Sequence, residues 1–357
     1  MKRIINLAVR SSICNLRCTY CYLNQLPVWF KNTQINYEYT PEEVKRAFSI
    51  ERLGGSCLFN ICSDGETLLA DKIVLYLKAI LEAGHYVEFV TNMTVTKVLN
   101  DIFAFDADLL KRIEFKCSFH YLQLKTKGLL STFANNIMAA KKRGCSFSVE
   151  LISDDSYIPY IDEIKAFSLE NFGALPHLSI PRNDKRSHSL LSSLSFKDFC
   201  KTWSSFESPF FDFKLKVYRK RVTDYCFAGR ASLYVDLATG YSQQCYRANG
   251  YSFNVFANPD QPIPFCSIGK CNVRYCYNGH ALLTVGCVKR FNQDKYGDIR
   301  NRICSDGTSW ITSDMLRFMN EKAFIDDSPS TMKKDKIIMS KVRLSHLKAR
   351  ILRKINR

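Results

Sequence analysis

Apolar and polar positions follow two alternating periods along the first half of the chain. Six short apolar runs have the composition of buried strands, and longer stretches with helical spacing separate them. The predicted strands are residues 4–9, 57–62, 86–91, 113–119, 146–152 and 178–181. Strand followed by helix, six times over, predicts a parallel sheet covered by helices. Because a closed barrel needs eight such units, we predict an open, partial (β/α)6 barrel.

The predicted helices carry recognisable ends. TPEEVKRAF opens with a capping box between Thr40 and Glu43, and Pro41 occupies the first helical position. DKIVLYLKAILEAG ends on Gly84 and KGLLSTFANNIMAAKKRG ends on Gly144, and glycine is the usual residue just past a helix. In folds of this kind the chemistry lies at the C-terminal ends of the strands.

The regular alternation stops near residue 185. RNDKRSHSLLSSLS is polar and serine-rich and predicts a linker. A short helix over 196–206 and an aromatic strand over 211–218 are predicted next. SLYVDLATGYSQQCY then predicts a hairpin with its turn at residues 238–240. We therefore expect a core barrel over 1–185, a cysteine-rich domain over 186–315 and a C-terminal tail over 316–357.

The tail is strongly basic. Residues 332–357 contain ten Lys or Arg and one Asp, which accounts for +9 of the net charge of +17. Apolar residues recur there at helical spacing, at Ile337, Leu344, Leu347, Ile351 and Ile355. The tail therefore predicts a basic amphipathic helix. It either packs on the protein with a solvated lysine face or contacts an anionic membrane surface or an acidic partner.

Composition excludes several classes of protein. An apolar fraction of 46% is enough for a packed core. No run of about 18 or more apolar residues occurs, so no membrane-spanning helix is predicted. The start, MKRIINLAVRSSIC, predicts a strand and not a signal peptide, because it has no long apolar region and no small-residue cleavage site. We expect a cytoplasmic protein with reduced thiols, so its fifteen cysteines indicate metal binding rather than disulfides.

One short loop concentrates the candidate chemistry. CNLRCTYCYLNQ, residues 14–25, follows the first predicted strand and spaces Cys14, Cys18 and Cys21 as C-x3-C-x2-C. Thiolates at this spacing bind zinc or an iron–sulfur cluster. Structural zinc takes four ligands and a cubane has four irons, so three cysteines leave one iron without a protein ligand. An open metal position is typical of a catalytic site. The alternative is a zinc loop completed by a distant residue.

The loop resembles the signature of the radical S-adenosylmethionine (radical SAM) enzymes, including the aromatic Tyr20 before the third cysteine. The resemblance covers residues 1–185. It implies a [4Fe–4S] cluster on Cys14, Cys18 and Cys21, an open iron chelated by the methionine moiety of S-adenosylmethionine, and Tyr20 at the cofactor site. It also implies reductive cleavage to a 5'-deoxyadenosyl radical, which takes a hydrogen atom from an unactivated C–H bond.

A second motif follows the second predicted strand. In CSDGETLL, Gly65 and Glu66 match the family's Gly-Gly-Glu-Pro, while Asp64 and Thr67 replace the first glycine and the proline. The resemblance implies that Glu66 holds the amino group of the methionine moiety, and a carboxylate is a sound partner for an ammonium group. Polar residues that end the next two strands are candidates for the methionine carboxylate or the ribose: Thr91, Asn92, Ser118 and His120. His120 is alternatively a hydrogen-bonded strand histidine.

The cysteines after residue 225 carry a further resemblance. The spacing of Cys226, Gly240 and Cys245 resembles the opening hairpin of the SPASM and twitch extensions, which hold auxiliary [4Fe–4S] clusters. The spacings of the later cysteines depart from the SPASM pattern, so the number of auxiliary clusters, one or two, is left open. The assigned ligands are Cys226, Cys245, Cys266, Cys271, Cys276 and Cys287, with Cys304 a bystander. A four-thiolate zinc site is the alternative. The remaining thiols are expected to be buried: Cys57, Cys62, Cys117, Cys145 and Cys200.

The resemblance leaves the substrate open. It implies oxidation, epimerisation or cross-linking of a peptide or carbohydrate, and no catalytic residue is assigned. The barrel starts within ten residues, which disfavours an N-terminal peptide-recognition domain and leader-guided modification. We expect an acidic electron donor such as flavodoxin or ferredoxin, and the tail offers attachment at the inner membrane surface. The alternatives are an RNA-modifying radical SAM enzyme and a non-catalytic iron–sulfur or zinc scaffold. Nucleic acid is disfavoured because the basic residues are not interleaved with aromatics along a groove.

Overall fold

A nine-stranded sheet forms the centre of the computed structural model. The structure describes residues 1–26, 34–186, 188–247, 250–276 and 279–355, with the backbone alone for residues 343 and 345–355. Six neighbouring strands run parallel in chain order: β1 (Ile4–Val9), β2 (Leu58–Ser63), β3 (Tyr86–Thr91), β4 (Ile113–Ser118), β5 (Ser146–Ile152) and β6 (His177–Ser179). This confirms the predicted parallel core of a partial (β/α)6 barrel, with strand ends within two residues of the prediction.

Helices connect these strands. They are α1 (Tyr22–Gln25), α2 (Pro41–Ala47), α3 (Ile50–Leu53), α4 (Ile73–Glu82), α5 (Thr96–Phe103), α6 (Ala107–Leu110), α7 (Tyr121–Thr126), α8 (Leu130–Lys142) and α9 (Ile161–Phe172). The predicted capping box at α2 is present: the Thr40 side chain accepts from the Glu43 N–H, and the Glu43 carboxylate accepts from the Thr40 N–H. Short 3-10 turns cover Thr67–Leu69 and Asp155–Tyr160.

The second half of the chain combines short strands and helices. Its elements are β7 (Arg182–Asn183), β8 (Ser189–Leu190), α10 (Phe196–Trp203), α11 (Pro209–Val217), β9 (Tyr225–Cys226), β10 (Ser232–Asp236), β11 (Tyr241–Gln243), β12 (Ser252–Asn254), β13 (Gly269–Lys270), α12 (His280–Leu282), a π-helical turn (Leu283–Cys287), α13 (Tyr296–Arg300), α14 (Ser313–Asn320) and α15 (Pro329–Ile355). Two further 3-10 turns cover Ser204–Phe206 and Lys289–Phe291.

The aromatic strand predicted over 211–218 is wrong, because this segment lies in helix α11. Ser208 caps the helix by accepting a hydrogen bond from the Phe211 N–H, and Pro209 occupies the first turn. The neighbouring phenylalanines Phe210, Phe211 and Phe213 are all buried. Burial of adjacent positions, and not of every second one, is what a helix packed on several sides produces.

The predicted hairpin is present and extends the barrel sheet. β10 and β11 pair in antiparallel fashion around the turn that ends at Gly240. β10 also pairs in parallel with β1, so the strand order is β12-β11-β10-β1-β2-β3-β4-β5-β6. The central sheet therefore crosses the predicted boundary at residue 185, and the segment that carries Cys226 and Cys245 is joined directly to the barrel.

The two faces of the parallel strands differ in polarity. Phe59, Phe89, Phe115 and other residues of that parity belong to the main hydrophobic core under the helices. The alternate positions of β3, β4 and β5 are on the opposite face of the sheet and include Glu88, Glu114 and other charged or polar residues. Because strand side chains alternate between faces, the concave side of the sheet is lined by polar groups.

The start of α15 is anchored to the protein. Asp335 is 1% exposed, forms a bidentate ion pair with Arg230 (2.8 and 2.9 Å) and accepts from the Ser267 N–H at 3.0 Å. Ile337 and Leu344 are exposed, at 50% and 58%. The other predicted apolar positions, Leu347, Ile351 and Ile355, lie outside the described side chains. Among the described residues, no helix has the length and apolar character that a membrane crossing requires.

Candidate active site

The loop after β1 brings Cys14, Cys18 and Cys21 together at the C-terminal edge of the sheet. The Cys21 N–H donates to the Cys18 carbonyl at 3.1 Å, and the Leu16 N–H approaches the Cys14 sulfur at 3.4 Å. Cys21 is the residue before α1, whose first N–H groups have no partners within the helix. N–H groups directed at sulfur favour the thiolate that a metal requires.

Burial governs the acidity of these three thiols. It raises the pKa of Cys18 to about 12, and it raises the pKa of Cys14 and Cys21. The thiols of Cys14 and Cys21 add to the increase at Cys18, so all three lie within electrostatic range of one another. Without a positive centre the loop therefore holds thiols, and a bound metal cluster is what would stabilise three thiolates here.

The loop after β2 is pressed against the cysteine loop. The Gly65 N–H donates to the Ser11 carbonyl and the Glu66 N–H to the Ile13 carbonyl, both at 2.7 Å. A Cβ added to Gly65 would collide with the Ile13 carbonyl oxygen, which belongs to the main chain and cannot rotate away. Glycine is therefore required for the two loops to meet.

Glu66 is a buried carboxylate held by three donors. It is 3% exposed and accepts from the Leu68 N–H at 2.9 Å, the Thr91 hydroxyl at 2.6 Å and the Asn92 N–H at 2.7 Å. Burial raises the pKa of Glu66, and these three hydrogen bonds oppose the increase. Three of the predicted cofactor residues thus form one group, in which Thr91 and Asn92 orient Glu66.

Both departures from Gly-Gly-Glu-Pro have a structural explanation. The Asp64 carboxylate accepts from the Tyr22 hydroxyl at 3.1 Å and lies 3.5 Å from the Arg10 guanidinium. Tyr22 directly follows the third cysteine of the loop, so Asp64 ties the second loop to the first. The Thr67 hydroxyl accepts from the Ser63 N–H at 3.1 Å and closes the turn that a proline would otherwise restrict.

Tyr20 and His120 meet on the other side of the cysteine loop. The Tyr20 hydroxyl lies 2.7 Å from His120 Nδ1 and 2.9 Å from the Tyr157 hydroxyl. Burial lowers the pKa of His120 to about 4, so the ring is neutral at pH 7. Ser118, at the end of β4, is paired in register with Glu150. Tyr157 was not predicted, because its tyrosine-rich segment has no spacing that indicates a site.

A second group of thiols lines a cavity that opens to solvent in the C-terminal half. Five cysteines line it: Cys226, Cys245, Cys271, Cys276 and Cys287. β9 pairs with β13, which sets Cys226 opposite Gly269, and the Phe227 N–H donates to the Cys287 carbonyl at 2.8 Å. A Cβ on Gly279 would collide with the Cys276 sulfur, so glycine leaves room for that thiol.

Cys266 does not line this cavity. Its side chain is buried and faces the carbonyls of Ser267 and Asp335, beneath α15. Cys304 is buried against the Phe172 carbonyl, also away from the cavity. Burial raises the pKa of Cys226 to about 12 and that of Cys287 well above its usual value, and neighbouring thiols add to both increases. The five thiols of the cavity are thus an electrostatically coupled group.

Two further observations concern single-metal sites and the cysteines outside the two groups. Within the part of the chain that the structure describes, no three His, Cys, Asp or Glu side chains lie close enough to hold one metal ion. Cys57, Cys117 and Cys145 are buried as expected, whereas Cys200 is half-buried and Cys62 is exposed. Cys62 lies near the end of β2 on the concave face of the sheet. Its side chain therefore faces open space and not the helical layer.

A charged network on the concave face was missed by sequence reasoning. Arg300 of α13 is fully buried, with its guanidinium 3.4 Å from the Glu114 carboxylate and 3.3 Å from that of Glu150. The Lys116 ammonium lies 3.6 Å from the Glu88 carboxylate, and that of Lys214 lies 3.4 Å from Glu150. The sequence did contain a signal for this network: polar residues occupy alternate positions in the third to fifth strands, and therefore share one face of the sheet.

Another cavity, which opens to solvent, has lining residues that connect to both thiol groups. Arg182 lines it, and the Arg182 carbonyl accepts from the side-chain amide of Gln25 in α1 at 2.9 Å. α1 begins directly after Cys21. Cys276 lines the cavity on the other side and also lines the thiol cavity.

Comparison with known proteins adds a family match. Residues 9–146 match the family model for the radical SAM superfamily. No curated protein is significantly similar to the chain in sequence.

Solved structures to which the chain is similar include the following three. Streptococcus suis SuiB has a TM-score of 0.49 at 13% identity, over 74% of this chain and 67% of that one. The enzyme anSMEcpe with bound AdoMet has a TM-score of 0.49 at 17% identity, over 72% and 79%. BtrN in complex with AdoMet and 2-DOIA has a TM-score of 0.37 at 16% identity, over 69% and 73%.

Proposed function

We propose that this chain, a radical SAM enzyme, abstracts a hydrogen atom from a peptide or carbohydrate and thereby starts an oxidation, epimerisation or cross-linking reaction. The superfamily uses a [4Fe–4S] cluster and S-adenosylmethionine. When bound, this pair supplies an electron that cleaves the sulfonium and yields a 5'-deoxyadenosyl radical. The observation that carries the proposal is the close contact between the loop of Cys14, Cys18 and Cys21 and the loop of Glu66.

The cluster would be held by the three thiolates of the first loop. Three protein ligands would leave one iron of the cluster open to S-adenosylmethionine. Glu66 has one acceptor site to offer, because a carboxylate has about four lone-pair sites and three are used by Leu68, Thr91 and Asn92. In this proposal Glu66 binds the ammonium group, and Thr91 and Asn92 are positioning residues.

Tyr20 and His120 would border the nucleoside part of the cofactor. Their shared hydrogen bond and the bond to Tyr157 fix the aromatic rings beside Cys18 and Cys21. A neutral His120 adds no positive charge beside the sulfonium, which is itself a cation. Ser118 stays a proposed ribose contact from its place at the end of β4.

The decisive experiment measures 5'-deoxyadenosine after anaerobic reconstitution and reduction. The wild-type protein should form it, and the Cys14→Ala/Cys18→Ala/Cys21→Ala variant should not, with a loss of about four irons per chain. Cys304→Ala is the matched control, because that thiol lies outside both groups, and it should retain product and iron. A triple variant that still forms 5'-deoxyadenosine would contradict the proposal, and a wild type that forms none would favour the non-catalytic scaffold.

The thiol cavity would hold an auxiliary [4Fe–4S] cluster in a SPASM- or twitch-like extension. A cubane takes four thiolates, and five are present, so one cluster is the number that the cavity favours. Besides burial, the pKa of Cys287 is raised by Cys226, Cys245 and Cys276. Likewise, the pKa of Cys276 is raised by Cys226, Cys245 and Cys271, and that of Cys226 by Cys245 and Cys271. We assign Cys226, Cys245 and Cys276 as ligands and Cys271 or Cys287 as the fourth. Cys266 is left out because its thiol lies beneath α15.

Single substitutions identify the fourth ligand. Cys271→Ala and Cys287→Ala should differ, one losing about four irons per chain and the other keeping them. Cys266→Ala is the matched control and should keep all its iron. In the Cys226→Ala/Cys245→Ala variant the first cluster should remain, with S-adenosylmethionine cleaved but uncoupled from product. Full iron retention in that double variant would refute the auxiliary site.

A further inference from the structure

The charged side chains that line the cavity connecting the two thiol groups are all positive. Its charged lining residues are Arg182, Lys214 and Arg219, and among the described residues no carboxylate lines it. Behind the wall, the carboxylates Glu88, Glu114 and Glu150 are already matched by Lys116, Arg300 and Lys214. None of these three carboxylates is paired with Arg182 or Arg219.

The hydrogen-bonding groups of this wall are incompletely used. Arg182 forms no ion pair with any carboxylate among the described residues. The exposed Arg219 guanidinium lies over the Tyr275 ring, 5.6 Å from its centre. Nδ1 of His280 is buried and has no hydrogen-bond partner in the part of the chain that the structure describes. A partly buried guanidinium without a partner favours an anion, because an oxyanion accepts two of its N–H groups at once.

The position of the cavity indicates what the anion belongs to. Gln25 connects Arg182 to α1 and so to the first cysteine loop, and it also accepts from the Asp184 N–H at 2.9 Å. Cys276 connects the cavity to the thiol group of the C-terminal half. A molecule in this cavity would lie between the source of the radical and the proposed auxiliary cluster.

We propose that this cavity binds the substrate through an oxyanion group, a carboxylate or a phosphate, with Arg182 as its main contact. The inference rests on the proposed function, which makes the space between the two clusters a substrate site. Binding a charged group at a fixed arginine holds the rest of the substrate in one orientation, so that one C–H bond is presented to the radical.

The test uses inorganic phosphate and acetate as probes of the reconstituted, full-length protein with S-adenosylmethionine. Each anion is titrated at constant ionic strength, and the apparent Kd is taken from the rise in thermal unfolding temperature. Arg182→Gln should raise the apparent Kd about ten- to a hundred-fold, as expected for a lost charged hydrogen bond. Arg317→Gln is the matched control: it removes the same charge from an exposed site on α14 and should leave the Kd within about twofold.

The outcomes separate the possibilities. Tighter binding of phosphate indicates a phosphorylated substrate, and tighter binding of acetate a carboxylate. No binding of either anion, or an equal loss in Arg182→Gln and Arg317→Gln, would overturn the inference. Should Arg182→Gln lose its iron, Arg182→Lys replaces it: the Kd should rise severalfold because lysine cannot bind an oxyanion in bidentate fashion, and an unchanged Kd would overturn the inference. Formation of 5'-deoxyadenosine by the same wild-type preparation tests the proposed function separately.

Discussion

At the scale of single residues, the proposed cofactor site depends on Gly65 and Glu66. Gly65 allows the two loops to touch, since any side chain would collide with the Ile13 carbonyl. Glu66 is then buried among donors that leave it one free acceptor site. Its burial without a cation partner raises its pKa, and an ammonium group would provide the missing charge.

Glu66→Gln should weaken binding of S-adenosylmethionine about ten- to a hundred-fold, because a charged hydrogen bond contributes about 1.5–3 kcal/mol. The iron content should not change. Calorimetric titration of the reconstituted protein measures the affinity. Glu163→Gln, at an exposed carboxylate paired with Lys125, is the control and should bind as the wild type does. Equal affinity in the Glu66 and Glu163 variants would assign the Glu66 loop a structural role only.

His85 provides a prediction about pH. Its ring lies between the Phe48 carbonyl (2.6 Å) and the Cys57 N–H (3.2 Å), and burial lowers its pKa to about 4. Between pH 6.5 and 4 the unfolded chain binds a proton that the folded chain does not. Stability contributed by the neutral ring is therefore present above about pH 6.5 and is lost as the pH falls towards 4, by about 3 kcal/mol in total.

The measurement for His85 is the chemical shift of its ring carbon against pH. It should begin to change only near pH 4, and a midpoint near 6.5 would contradict the buried neutral ring. His85→Gln keeps a hydrogen-bond donor for the Phe48 carbonyl but removes the titrating ring. Its free energy of unfolding should therefore fall less between pH 6.5 and pH 4 than that of the wild type.

At the scale of elements, α15 is a helix with an anchored start and an exposed basic continuation. The Asp335–Arg230 ion pair and the Ser267 N–H hold its first turns. These contacts lower the pKa of Asp335 against the opposing effect of its burial. The first part of the helix therefore packs on the protein, while exposed Ile337 and Leu344 leave an apolar and basic surface that we propose as the contact with an anionic membrane.

Asp335→Asn should release the start of α15, because it removes one charge of a buried pair and costs about 1.5–3 kcal/mol. Limited proteolysis should then cleave near residue 330 faster than in the wild type. Asp314→Asn, in an exposed pair with Arg317, is the control and should leave the cleavage rate unchanged. An unaltered cleavage pattern in Asp335→Asn would show that other contacts hold the helix. The same contacts predict that acid below about pH 4 releases it, since the stability from a carboxylate with a lowered pKa is lost as that carboxylate is protonated.

Membrane contact by α15 is tested with vesicles. The wild type should sediment with vesicles rich in anionic lipid and not with neutral ones, because each lysine near an anionic surface contributes about 1 kcal/mol. Lys333→Gln/Lys334→Gln/Lys341→Gln should weaken this sedimentation, while Lys141→Gln/Lys142→Gln on α8 should not. Equal binding to both vesicle types would remove the membrane proposal.

At the scale of the whole molecule, one continuous sheet connects two thiol groups. β1 leads into the first cysteine loop on one side and pairs with β10 on the other, from which the chain passes to Cys245. The cavity proposed for the substrate connects to both groups, so the sheet would set the spacing on which transfer of an electron from a substrate radical depends. A rigid sheet suits this role because its ladder of hydrogen bonds resists relative movement.

Metal analysis of the anaerobically reconstituted wild type tests this arrangement. We expect about eight irons per chain, four for each cubane, and no stoichiometric zinc. About four irons and one zinc would keep the radical SAM site and make the C-terminal thiol group a zinc module. About four irons without zinc would leave the second group as free thiols.

The sequence by itself determined the parts of this protein that depend on local order. Hydrophobic period predicted the six parallel strands, and the C-x3-C-x2-C spacing with Gly65 and Glu66 indicated the radical SAM domain, because strands and short loops are encoded by neighbouring residues. Tertiary structure decided the rest: Cys266 lies beneath α15, Arg300 inserts among strand carboxylates more than 100 residues away, and residues 211–218 are helical. These outcomes depend on which distant surfaces pack together, and spacing along the chain carries no information about that.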